Sequence, residues 1–217
     1  MTGSPAHVGV IPDGLRRWAR ANGATLTDAY LRGSEKVTEI LLALRRNEVQ
    51  TVSVYNLSRA NLARPGDQLE AVYAASTYFL NSLIPANFDA ATCGFRMHGD
   101  RDLLPADFVE AAEHLESTMT GSAFHLNLLA AYDAEDELRS AYRRAQAEEC
   151  DINDAFDIGR VDMVIRTTPE PLLSGFLPYQ SQYAQLRFLD TPLNDLDASR
   201  IDARAAAHRL MPQLHGR

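Results

Sequence analysis

One carboxylate and two guanidinium groups stand where an apolar run breaks in HVGVIPDGLRRWARANG, residues 7–23: Asp13, Arg16 and Arg17, beside Gly14. The run reads as a strand entering a helix. The first N–H groups of a helix lack partners and its dipole favours negative charge, so this junction suits an anion. Ser58, Asn61 and Arg64 follow a second apolar run, and Arg166, Thr167 and Ser174 follow a third. Guanidinium forks match phosphate oxygens, and a hard cation such as Mg2+ takes a carboxylate together with phosphate oxygens. Four arginines, several hydroxyls and Asp13 together suit two phosphorylated groups and one divalent metal. Each cluster also has a plainer reading. Arg16, Arg17 and Arg20 fit the wet face of an amphipathic helix, Asp13-Gly14 fits a turn or cap, and Ser58 to Arg64 fits an ordinary loop.

The elements that must place these residues follow from periodicity. Strand-length apolar runs alternate with helix-period segments, the pattern of parallel βαβ units. Strands are expected at His7–Ile11, Thr51–Tyr55, Gly94–His98, Ala123–Leu129, Val161–Ile165 and Ala184–Leu189. Helices are expected through Trp18, ending near Asn22-Gly23, and from Ser34 to Arg46, Gln68 to Leu83, Pro105 to Met119, Tyr132 to Ala147 and Ser199 to Leu210. The fold class is therefore α/β, with roughly six mainly parallel strands flanked by helices on both faces, and ligands gather outside the carboxyl ends of such strands. The segment from Gln68 to Leu83 is apolar on most sides, which fits a wholly buried helix or one lining a greasy cavity, with Tyr73, Tyr78 and Phe79 as candidate wall.

Composition narrows the function classes. A chain of 217 residues supports one substantial core, so residues 1–217 are read as a single domain. A formal charge of -8 opposes nucleic-acid binding, which shows as a basic excess. Two cysteines, Cys93 and Cys150, make neither a disulfide framework nor a zinc site. Neither a secretory leader nor an apolar span of membrane length is visible, so a cytoplasmic protein without stable membrane insertion is expected.

The motifs resemble a known family. IPDGLRRWA is similar to the M-D-G-N-x-R-W motif of the cis-prenyltransferases, the undecaprenyl diphosphate synthase family. NLSRANLARP resembles F-S-x-E-N-W-x-R-P, FHLNLLAAYDAEDEL resembles L-N-I-A-x-N-Y-G-G-R-x-E-I, and VIRTTPEPLLSGFLPYQSQYAQLRF resembles I-R-T-S-G-E-x-R-L-S-N-F-L-x-W-Q-x-x-Y-A-E-L-x-F. The blocks come in family order over nearly the whole chain. The resemblance implies a homodimeric α/β enzyme with a hydrophobic tunnel that condenses isoprenoid diphosphates with Mg2+. It implies Asp13 as the metal ligand, and Asp13, Ser58 and Asn61 as catalytic. It places Gly14, Leu15, Arg16, Arg17, Trp18, Tyr30 and Arg64 at the allylic substrate, and Arg166, Thr167 and Ser174 at the second one.

Most departures from that pattern are apolar. Leu15 replaces the Asn after Asp-Gly, Leu26 and Tyr30 replace an arginine and a histidine, and Ala60 and Leu62 replace Glu and Trp. Leu172 stands for the second arginine of the R-T-S-G-E block, and Gln185 for its metal-binding glutamate further on. An apolar group in place of a phosphate donor weakens that contact. A smaller branch, the bacterial lavandulyl-type synthases (cyclolavandulyl and isosesquilavandulyl diphosphate synthases), is similar in several of these positions. That likeness implies head-to-middle coupling of two allylic diphosphates: dimethylallyl diphosphate as acceptor, and dimethylallyl or geranyl diphosphate as donor. The alternatives are head-to-tail elongation with isopentenyl diphosphate and a catalytically silent subunit.

Overall fold

The computed structural model describes residues 4–209. Its centre is β1 (His7–Ile11), buried at all five positions, which suits a sequence that is apolar after His7. β2 (Thr51–Ser58) and β5 (Met163–Arg166) pair with β1 on either side. β4 (Phe124–Tyr132) and β3 (Cys93–His98) extend the sheet beyond β2, and β6 (Gln185–Phe188) extends it beyond β5. All five ladders are parallel, so the expected mainly parallel sheet is wholly parallel. The chain leaves β1 in one direction to β2 and returns on its other side as β5. That topological switch opens a crevice at the carboxyl ends of β1, β2 and β5.

The helices are α1 (Leu15–Asn22), α2 (Leu26–Arg46), α3 (Gly66–Tyr78), α4 (Ile84–Asn87), α5 (Ala106–Thr118), α6 (Ala134–Glu148) and α7 (Ala198–Arg209). One sheet face packs on α2, α3, α5 and α7 through Val10, Ile40, Leu44, Phe108, Leu128 and Ile201. The other carries a smaller core of Ile11, Leu129, Ile158, Val164 and Phe176, bordered by Ala134 of α6. No described helix is long and apolar enough to cross a membrane.

Several elements differ from expectation, the larger differences each for a local reason. α2 starts at Leu26 rather than Ser34, because Thr25 caps it, accepting from the Asp28 N–H at 3.0 Å; Gly33 interrupted the periodic signal. β2 continues past Tyr55 to Ser58 through register shifts on either side of Leu57, irregularities of the kind that re-aim side chains beside active sites. The expected Gln68–Leu83 helix is α3 followed by a π-helical turn, Phe79–Leu83, and then α4. Tyr132 ends β4, and Asp133 caps α6 by accepting from the Glu135 and Asp136 N–H groups. The expected last residue of the C-terminal helix, Leu210, lies outside the described residues.

A buried polar ladder crosses four strands. His7 Nδ1 donates to the Arg160 carbonyl at 2.9 Å, so its Nε2 accepts from the Ser53 hydroxyl at 2.8 Å. Asn127 Nδ2 donates to Ser53 Oγ at 3.1 Å, and His98 Nε2 donates to Asn127 Oδ1 at 3.3 Å. Burial pushes both imidazoles below their ordinary value. The unfolded chain therefore takes up protons first as pH falls, and this contribution to stability fades from about pH 6.5 downward. Urea unfolding at pH 7.5 and 5.5 checks it. His7→Gln is expected to be less stable than wild type at pH 7.5, with a gap that narrows at pH 5.5; a gap independent of pH would refute it.

Candidate active site

A cavity of about 810 Å³ opens at the switch between β1, β2 and β5. Gly14 makes its floor possible. It caps α1 at φ +94°, and a Cβ there would stand 3.2 Å from Pro192 Cβ. Asp13, just before it, is fixed at several atoms. Its main-chain N–H donates to Thr167 Oγ1 at 2.7 Å, and the same hydroxyl donates to its carbonyl at 2.8 Å. Its Oδ1 accepts from the Gly14 N–H at 2.6 Å, and its Oδ2 accepts from Arg166 Nη2 at 2.7 Å.

Arg166 ends β5 and is 8% exposed. Besides Asp13 it donates to Ser174 Oγ at 3.1 Å, to Thr168 Oγ1 at 3.2 Å and to the Leu172 carbonyl. The loop after β5 is thus wrapped around one guanidinium. Ser174 holds φ +53° there, and Tyr55 of β2 donates to its carbonyl at 3.0 Å. Arg16 and Arg17 project from α1; Arg16 donates to Gln68 of α3 at 3.1 Å. Ser58 accepts from the Asn61 N–H at 3.2 Å, turning residues 59–63 so that Asn61 and Arg64 face the same cavity. Arg64 is half-buried beside Tyr30, and burial works against its charge. It forms no ion pair among the described residues, which leaves a cation suited to an external anion.

Most of the deeper wall is apolar: Val37, Val54, Val72, Ala75, Phe79 and Leu128. Leu15 packs into α2 where Gly33 has no side chain; a Cβ at Gly33 would lie 2.2 Å from Leu15 Cδ2. Leu15 therefore belongs to the wall as an apolar group, not as a donor. A cationic rim over an apolar wall suits molecules with a charged head and a hydrocarbon tail.

Asp13, Gly14, Leu15, Arg16, Arg17, Tyr30, Ser58, Asn61, Arg64, Arg166 and Ser174 all line this one cavity. Two expected contacts do not. Trp18 turns away, its Nε1 donating to Asp195 at 2.7 Å with the Arg32 guanidinium over its ring; it clamps α1 to α2 and the Leu193–Asp195 turn. Thr167 is fully buried, spending its hydroxyl on the main chain of Asp13, so it positions that residue. Tyr73 and Tyr78 are also not wall residues: Tyr73 packs edge-on to Phe108, and of the three aromatics only Phe79 faces the cavity. Gln185 sits at the start of edge strand β6, outside the wall, accepting from Arg187 at 2.8 Å. Leu172 is at the rim, 57% exposed.

Sequence reasoning missed Glu170, Asn56 and Gln68, which also line the cavity. Glu170 lies within the R-T-S-G-E-like block, four residues after Arg166, and that strand-end position was its signal. Asn56 directly follows the strand expected to end at Tyr55, and it lies within β2 because that strand continues to Ser58.

Fold and site together define an α/β enzyme built for amphiphilic phosphorylated substrates. A family model described as putative undecaprenyl diphosphate synthase, a prenyltransferase family, matches residues 11–208. Among relatives, the geranylgeranyl-diphosphate-specific tritrans,polycis-undecaprenyl-diphosphate synthase of Pyrobaculum aerophilum is 32% identical, covering 86% of this chain and 85% of that one. Isoprenyl transferase 1 of Bradyrhizobium diazoefficiens is 30% identical over 93% of this chain and 86% of its own. Lavandulyl diphosphate synthase from Lavandula x intermedia, solved with dimethylallyl diphosphate, superposes with a TM-score of 0.86 over 97% of both chains at 22% identity. A probable undecaprenyl diphosphate synthase from Campylobacter jejuni gives 0.83 at 20% identity, over 99% of this chain and 100% of that one. The two solved structures share the fold. The chain belongs to the undecaprenyl diphosphate synthase family of cis-prenyltransferases.

Proposed function

We propose that this prenyltransferase joins two allylic diphosphates head to middle, giving a branched, lavandulyl-type diphosphate. The observation that carries this reading is that two cavity positions are apolar where the family has polar groups: Leu15 is folded into Gly33, and Leu172 stands exposed where the resemblance expects a second arginine. Arg16, Arg17 and Arg64 hold the donor's diphosphate; Arg166 and Ser174 hold that of an acceptor such as dimethylallyl diphosphate. The bond from the donor's first carbon to its diphosphate breaks, and the electron pair leaves with the diphosphate. The acceptor's double bond attacks that carbon, and the resulting tertiary cation loses a proton to a diphosphate oxygen. Val54, Val72, Phe79 and Leu128 pack the tails and exclude water, which protects the cation and aligns the reacting carbons.

The residues fit Mg2+. Asp13 is a hard oxygen ligand at the cavity, and its Oδ1 carries only the Gly14 N–H bond and a 3.9 Å approach of Arg17. No group of three or more His, Cys, Asp or Glu able to hold a metal exists among the described residues, so diphosphate oxygens would complete the coordination. Bound there, Mg2+ would supply charge neutralisation for the departing diphosphate. A homodimer belongs to the same proposal, supported by the exposed Tyr183 and Leu186 at edge strand β6.

Head-to-tail elongation with isopentenyl diphosphate is the second reading. The names of the 30–32% identical relatives fit it better than they fit the first. Purified protein with Mg2+ and dimethylallyl diphosphate alone separates the two. A branched diphosphate seen by mass spectrometry supports head-to-middle coupling, whereas product formed only after isopentenyl diphosphate is added establishes elongation. No product from any pair leaves the silent-subunit reading.

A further inference from the structure

Arg17 is the contested cation of the cavity. Its Nη2 lies 3.2 Å from Glu170 Oε2 and 3.9 Å from Asp13 Oδ1, while its Nη1 donates to Glu170 Oε1. The two carboxylates reach it from different elements, Asp13 from the β1–α1 junction and Glu170 from the loop after β5. Glu170 fills the guanidinium fork with two parallel bonds, the geometry that a diphosphate oxygen pair also takes. Both side chains are substantially exposed, Arg17 at 55% and Glu170 at 40%. Such a pair is weak and easily exchanged. Arg17 also holds the Glu170 carboxyl down to about 2, so it stays a competing anion at any physiological pH. Of the other arginines at the rim, Arg64 has no ion pair among the described residues, Arg16 reaches only Gln68, and Arg166 is buried on Asp13.

We propose that Glu170 is a built-in competitor for diphosphate at Arg17: it yields the fork as the substrate head group binds and reclaims it as inorganic diphosphate departs. This rests on the diphosphate reading of the cavity and adds a role in turnover that the chemistry alone does not require. Glu170 is then a positioning residue whose effect falls on ligand affinity and product release.

Titration of inorganic pyrophosphate into metal-free protein by calorimetry tests it. Glu170→Gln is expected to bind roughly three- to fivefold tighter than wild type, with Glu170→Asp between them. Pyrophosphate should inhibit Glu170→Gln more strongly than wild type by the same factor in steady-state assays. The decisive comparison is in an Arg17→Gln background, where Glu170→Gln should change affinity little. Equal tightening in both backgrounds would mean general charge repulsion and overturn the proposal, as would equal or weaker binding by Glu170→Gln. Glu170 is exposed, so its substitution leaves the fold intact, and unchanged melting temperatures verify this. Wild type that binds no pyrophosphate would overturn the diphosphate reading and this inference with it; binding indifferent to Glu170 overturns this inference alone.

Discussion

Asp13→Asn is expected to lower kcat by roughly 10³-fold while leaving a folded protein, because charge stabilisation at a reacting centre is commonly a term of that size. Asparagine keeps the shape and one oxygen, so the Gly14 N–H or Arg166 can still be satisfied. What it loses is the negative charge that opposes the Arg166 guanidinium and would ligate Mg2+. The pair is partly buried, with side-chain exposures of 9% for Arg166 and 34% for Asp13. Neutralising one member therefore carries a stability cost of roughly 1–3 kcal/mol, below that of deleting it. Steady-state kinetics and urea unfolding separate the two effects. Activity within tenfold of wild type would remove Asp13 from the chemistry.

Arg166→Met is expected to act on both stability and turnover. The guanidinium binds Asp13, Ser174, Thr168 and the Leu172 carbonyl at once, so its loss frees the loop after β5 and leaves Asp13 without its counter-charge. Breaking this partly buried, hydrogen-bonded ion pair from its buried side costs up to roughly 3–5 kcal/mol. Turnover should fall by more than roughly 10³-fold, since donor, loop and Asp13 orientation go together. Arg166→Lys distinguishes charge from geometry. It keeps the cation but cannot fork, so it is expected to recover much of the stability and little of the activity. Lysine that restores both would show that charge alone suffices; Met at wild-type stability would show the loop is held by other contacts.

Asp13 and Arg166 meet at the junction of β1 and α1. The apolar run of β1, the Asp-Gly break and the basic helix follow from local rules: period, turn chemistry and helix-end electrostatics. The same rules gave five further strands and their parallel alternation, because a strand buried on both faces is apolar along most of its length. They gave Arg166 as a rim residue, since a charge directly after such a strand has to sit at the edge of the sheet.

Other features depend on pairs distant in sequence. Trp18 has the spacing of a ligand contact, but Asp195 and Arg32 turn it into a clamp. Thr167 reads as a ligand hydroxyl until the neighbouring strand brings Asp13 to it. Leu15 reads as the loss of a donor; its place against Gly33 makes it cavity wall. Glu170 meets Arg17 across more than 150 residues of chain. The sequence by itself determined the elements, the sheet and the list of chemical groups at the strand ends, because those depend on neighbours along the chain. Only the tertiary structure decided which of those groups face the cavity and which hold one another, because that depends on the order in which strands pair across the switch.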